Sequence, residues 1–147
     1  MPLINKSIEI EAPREQVFAE AADPTKQPDW ALFLKDIAVT SGDGRSPGSR
    51  QAWLFKVGPR PAETMEAVVT QFHENESVSR QTSSGLPLSE SMNFIAVDDG
   101  TTRVHWSIEY KPPLGPLGKM LDGIFINRVF QNDIETSLER LKRRLEA

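Results

Sequence analysis

Between Lys35 and Pro112 the chain carries six short runs of alternating apolar residues, and nothing else along its 147 residues restricts the fold as tightly. The runs "IAVT", "RQAWLFKV", "ETMEAVVTQF", "SVSRQTS", "SESMNFIAV" and "TRVHWSIEY" are divided by "SGDGRSPG", "GPRP", "HENE", "SGLP" and "DDGT". β-branched and aromatic residues at alternate positions suit a pleated strand, and clusters of Gly, Pro, Asn and Asp turn the chain. Connections this short join antiparallel neighbours, because a parallel crossover needs about a dozen residues or more. The expectation is a six-stranded meander. Its last strand has the clearest phase: Val104, Trp106, Ile108 and Tyr110 fall on one face, Arg103, His105, Ser107 and Glu109 on the other. One face of such a sheet is wet and the other is covered.

The cover is predicted downstream. After "KPPLGPLG" the chain is free of proline from Lys119 to Glu146, and Ile134, Leu138, Leu141 and Leu145 recur at helical spacing. Upstream, "IEIEAPREQVFAEAADPTKQPDW" changes its period in mid-run. Leu3 to Glu11 alternates as a further strand. A helix then follows with Pro13 at its first turn, where a missing N–H is harmless, and carries Val17, Phe18, Ala21 and Ala22 until Asp23-Pro24 stops it. A second short helix is expected from Thr25 to Phe33, limited by Pro28. No repeat or low-complexity linker divides the chain, so residues 1–147 are read as a single α+β domain.

Composition narrows the partners. Lys+Arg 17 against Asp+Glu 21 leaves a net charge of -4, and the one dense basic tract, Lys142-Arg143-Arg144, ends a helix, where cations are favoured by the helix dipole. Nucleic acid is therefore not expected as a partner. Cysteine is absent, which removes disulfides, a thiolate nucleophile and Cys-ligated zinc. "MPLINKSIEIEAP" has no apolar run of signal-peptide length, and no stretch approaches the ~20 apolar residues of a membrane span, so a cytoplasmic protein without stable membrane insertion is expected. His73 and His105 lie on separate strands, no His/Asp/Glu group has metal-ligand spacing, and "GDGRSPG" precedes a strand rather than a helix. No metal and no cofactor is expected.

The order of strand, two short helices, six-stranded meander and long C-terminal helix resembles the helix-grip fold of the START-like superfamily, also called SRPBCC. "IEIEAPREQVFAEAADPTKQPDW" is similar to that family's opening, "DGTTRVHWSIEY" to its last hairpin and "LERLKRRLE" to its helix end. The branch it resembles is that of polyketide cyclase/dehydrase and lipid-transport proteins. The resemblance implies a curved antiparallel sheet of about seven strands wrapped around the last helix, and between them an internal apolar cavity with Trp30 and Phe33 near its wall or mouth.

Within that frame several residues are candidates for ligand binding. Projected at about 100° per residue, Met120, Ile124, Ile134, Leu138 and Leu145 share one stripe of the last helix, with Asn127 and Gln131 near its centre. The two amides either bond each other or the backbone, are rotated outward by irregular helix geometry, or meet water or a ligand's polar group, since an unpartnered buried amide costs roughly 1–3 kcal/mol. Trp53, Phe55, Phe94 and Trp106 are the aromatics expected on the inner face of the sheet. No catalytic set assembles: Glu66, Arg128 and Tyr110 are the available acid–base or oxyanion groups, and each reads first as surface charge or tyrosine rim.

The expected function is binding of a small hydrophobic molecule, polyketide-, aromatic- or lipid-like. The alternatives are a polyketide cyclase or dehydrase, which would work chiefly by folding its substrate in a shaped pocket, and a protein-interaction module. The last rests on a second apolar row, Leu114, Leu121, Phe125 and Val129, which either packs beneath the "KPPLGPLG" segment or serves as a homodimer contact or a membrane-facing patch.

Overall fold

The structure, a computed structural model, describes residues 2–112 and 120–147, residues 120–123 by their backbone alone. Seven strands form one curved antiparallel sheet: β1 (Leu3–Ile10), β2 (Leu34–Ser41), β3 (Arg50–Phe55), β4 (Glu63–His73), β5 (Ser77–Thr82), β6 (Leu88–Asp98) and β7 (Thr101–Tyr110). Their order is β1-β7-β6-β5-β4-β3-β2. The meander therefore stands as expected, and β1 adds at its far edge beside β7, with Ile4 opposite Ile108 and Ile8 opposite Val104. The alternation read for β7 holds, since Thr102, Val104, Trp106, Ile108 and Tyr110 are all buried. Register shifts in β2, β4 and β6 bend the strands. The shift between Val69 and Gln71 also turns Phe72 inward, where it meets Phe18 edge-on at 5.5 Å.

Between β1 and β2 lies α1 (Arg14–Ala21), burying Val17, Phe18 and Ala21. The second short helix expected from Thr25 to Phe33 contracts to one 3₁₀ turn, Gln27–Asp29. Two local causes act against it. The Asp23 carboxylate accepts from both the backbone N–H and the hydroxyl of Thr25, at 2.9 and 2.7 Å, and Pro28 has no N–H to continue a helical ladder. Trp30 and Phe33 are nonetheless fully buried, so tertiary packing rather than helical periodicity places them.

The long helix α2 (Met120–Glu146) packs against β1 and α1. Lys6 pairs with Glu135 at 2.6 Å, Lys142 Nζ donates to the Glu9 carbonyl at 2.8 Å, and Arg144 makes two bonds to Glu20 of α1. Midway, Ser137 Oγ accepts the Leu32 N–H at 2.9 Å and so ties the Trp30–Phe33 loop to the helix. The buried arc of α2 runs through Ile126, Phe130, Ile134, Ser137, Leu138 and Leu141. This corrects the predicted stripe in its N-terminal half: Ile124 is 56% exposed, and Asn127 and Gln131 lie at the margin of the arc rather than its centre. Phe130 sets the rotation. It is the largest buried side chain on α2, and its ring sits 5.2–5.9 Å from Tyr110, Phe33 and Phe55. The side chain of Met120 lies outside the described residues.

Candidate functional site

The inner face of the sheet is filled at its centre. Trp53, Trp106, Trp30, Phe33 and Phe130 are each no more than 1% exposed, and Trp30 and Phe33 meet Trp106 at 5.4 and 5.5 Å. Behind these rings lies a polar cluster absent from the sequence-based expectation. Arg80 on β5 and Glu90 on β6 stand opposite one another in the ladder and form a buried ion pair, with Arg80 Nε donating to Glu90 Oε1 at 2.6 Å. Arg80 Nη1 also donates to the side-chain oxygens of Gln27 at 2.7 Å and Gln51 at 3.0 Å. Trp106 Nε1 donates to Glu90 Oε2 at 3.0 Å, Trp53 Nε1 to Gln51 at 2.9 Å, and the guanidinium lies 4.6 Å from the centre of the Trp53 ring. Each charge thus has partners for its hydrogen-bonding atoms, the condition under which a buried pair is tolerated. The continuous internal cavity implied by the resemblance is therefore closed in the middle of this chain by indoles and an ion pair.

A mainly apolar opening remains at one end. A cleft of about 430 Å³ lies where β3 runs into β4, β5 into β6, and β7 ends, against Ile126 and Phe130 of α2. Phe55, Val57, Leu86, Ile126 and Phe130 make its apolar walls, Pro61, Pro87 and Pro112 its rigid corners, and Arg60, Glu63 and Lys111 its charged rim. The loops that frame it are held from outside. Lys111 N–H donates to the Pro87 carbonyl at 2.9 Å, and the Thr82 hydroxyl donates to the Leu86 carbonyl at 2.7 Å. Gly85 has a φ of +76°, and a Cβ there would come within 2.6 Å of Met65 Cγ, so only glycine allows this close turn beside the cleft.

Tyr110 and Asn127 do not line the cleft, although each neighbours a residue that does, Lys111 and Ile126. The fully buried Tyr110 hydroxyl donates to Asn127 Oδ1 at 2.8 Å, and burial pushes the phenol up to about 12. Asn127 is thus committed to a protein partner. Gln131 is half-buried beside it on α2. Of the other ligand-binding candidates, Phe55 lines the cleft, while Trp30, Phe33, Trp53 and Trp106 belong to the aromatic layer behind it. Phe94 lies at the opposite end of the sheet, edge-on to Phe18 at 5.1 Å, beside a more open and more polar groove of about 680 Å³ lined with Arg14, His73, Glu76 and Asn93. The acid–base candidates do not converge: Glu66 and Arg128 are exposed and Tyr110 is bonded to Asn127. Of the second apolar row, Phe125 is 52% exposed, Val129 packs toward Gly58, and Leu114 and Leu121 lie outside the described residues.

Several functional positions escaped the sequence reading. Val57 ends the run "RQAWLFKV" in phase with Trp53 and Phe55 but was not singled out, Leu86 occupies a turn, where periodicity carries no phase, and Phe130 was hidden by centring the helix on its amides. Arg80 and Glu90 did leave a signal. Each falls on the inward phase of its strand, between Val78 and Thr82 or Leu88 and Met92, and a charge of each sign at such positions on adjacent strands is the mark of a buried pair.

Comparison with known proteins agrees with this architecture. A family model described as polyketide cyclase / dehydrase and lipid transport matches residues 1–146. The chain belongs to that family. Among solved structures, a protein from Thermus thermophilus is 17% identical with a TM-score of 0.81, the match covering 98% of this chain and 97% of that one. A START superfamily protein from Mycobacterium smegmatis is 18% identical with a TM-score of 0.72, covering 98% and 97%. The di-domain ARO/CYC protein BexL is 13% identical with a TM-score of 0.75, covering 99% of this chain and 47% of that chain. At these identities the likeness is one of fold. No curated protein matches the sequence. Among the described residues no group of three His, Cys, Asp or Glu could hold a metal ion, and no helix is long and apolar enough to cross a membrane.

Proposed function

We propose that this family member binds a small, mainly apolar molecule in the end cleft and acts as a binding or carrier protein. The observation that carries the reading is the contrast in filling: the centre of the grip is packed solid, while about 430 Å³ stays open against Phe55, Val57, Leu86, Ile126 and Phe130. That volume lies in the lower part of the range of roughly 300–1,000 Å³ typical of small-molecule pockets, which suits a molecule of one or two rings better than a long acyl chain. A cyclase or dehydrase would need an acid and a base converging on the reacting carbons. Here the titratable side chains lining the cleft, Arg60, Glu63 and Lys111, stand exposed at the rim and none reaches the aromatic floor as a pair. Native mass spectrometry of freshly purified protein tests the reading, together with titration of an environment-sensitive apolar dye. A co-purified small molecule or saturable dye binding that Leu86→Trp abolishes is expected. A dye signal that develops only as the protein melts would overturn it.

A further inference from the structure

The cleft has an apolar body and a rim whose charge runs against the rest of the molecule. The chain as a whole carries a net charge of -4, yet the lining of the cleft holds two cations, Arg60 and Lys111, and one anion, Glu63. Arg60 and Glu63 come from the β3–β4 connection and its following strand, Lys111 from the end of β7, so the cations stand on different walls. Among the described residues none of the three is engaged in an ion pair. Both cations are also placed on stiffened backbone. Arg60 sits between Pro59 and Pro61, and Lys111 precedes Pro112. Proline fixes its own φ and restricts the residue before it, so little backbone entropy remains to be lost when either side chain engages a ligand.

Resting on the cleft as the binding site, we infer that its ligand is an anion: a one- or two-ring apolar body bearing a single carboxylate, with the rings against Phe55, Leu86, Ile126 and Phe130 and the carboxylate at the rim between Arg60 and Lys111. An apolar body alone would gain nothing from two cations at the mouth that form no ion pair among the described residues. A carboxylate supplies an acceptor for both, and a guanidinium and an ammonium each form charge-assisted bonds to it. Glu63 on the same rim opposes a second negative charge, which selects a monoanion over a dianion.

The test compares 2-naphthoate with 2-naphthalenemethanol, which share a ring system and differ in the charge of the end group, by calorimetric titration. The wild-type protein is expected to bind naphthoate about fivefold or more tightly than the alcohol, in keeping with two solvent-exposed ion pairs, and to lose that preference as salt is raised. Arg60→Glu/Lys111→Glu should bring the ratio of affinities to one or below. These positions are exposed, and circular-dichroism melts of the variant verify the fold. Equal affinity for the two probes in the wild type, or a preference that survives charge reversal, overturns the anion inference and leaves the cleft as a binding site. Failure of both probes to bind, or binding indifferent to Leu86→Trp and to Ile126→Trp, overturns the site itself.

Discussion

The centre and one end of the space enclosed by sheet and helix are built on opposite terms. At the centre, Arg80 and Glu90 are fully buried and bonded to each other, to two glutamines and to an indole, and Trp30, Phe33, Trp106 and Phe130 pack over them. At the end, Val57, Leu86 and Ile126 face an open volume, and among the described residues the charges at the rim form no ion pair. The difference separates scaffold from site. A polar group whose bonds are all made inside the protein is spent on the fold, whereas an apolar wall without a facing side chain and a cation without an acid are left for something else to meet.

The largest expected effect is at the centre. Arg80→Met leaves Glu90 charged and buried with only the Trp106 indole for a partner, and should cost about 3–5 kcal/mol in chemical denaturation. Adding Glu90→Leu should recover much of that loss, since a buried pair replaced by apolar groups of similar volume is often neutral. Full additivity of the two losses would mean that the pair is not coupled.

Next in size is an alkaline transition. Tyr110 is the chain's one tyrosine, and burial holds it protonated up to about 12, above its ordinary value of 10.0. The folded state therefore binds this proton more tightly than the unfolded state. The stability this provides is complete below pH 10 and is lost between pH 10 and about 12, for a total of about 2–3 kcal/mol. Tyrosinate absorbance reads the group alone, and Tyr110→Phe should flatten the stability profile over that window. An ionisation midpoint at the ordinary value would place the phenol in water.

A smaller effect tests the boundary between the two regions. Asn127→Leu strands the buried Tyr110 hydroxyl and should destabilise the protein by about 1–3 kcal/mol in thermal melts. Unchanged stability would show that the hydroxyl finds water and that the open volume reaches α2 at this turn. The smallest effect belongs to the cleft itself. Leu86→Trp adds bulk to open space and should leave stability within about 0.5 kcal/mol while removing dye binding. A large destabilisation there would mean that the end is packed like the centre.

Much of the architecture could be read from residue pattern alone. Six alternating runs with short turns require an antiparallel meander, Leu3 to Ile10 supplies one more strand, and the proline-free apolar repeat after residue 119 requires a long helix to cover the inner face. The inward phase of Trp53, Phe55, Trp106 and Tyr110 followed from the same period of two. Local chemistry settles these matters, because strand alternation and turn propensity act over a few residues.

The site depended on contacts between distant segments. Whether an inward aromatic lines a cavity or fills it depends on what arrives from elsewhere. Here Trp30 and Phe33 come from a loop and Phe130 from a helix to fill the centre, and Phe55 and Phe130 are left as the rings at the edge of the opening. Helical projection gave the period of α2 but not its rotation, which the bulk of Phe130 decided by seating itself among Phe33, Phe55 and Tyr110. Arg80 and Glu90 have charges that belong in water when each is taken alone. Only the ladder that sets them side by side, with Gln27 and Gln51 brought in from a 3₁₀ turn and a neighbouring region of the sheet, supplies enough bonds to keep them dry.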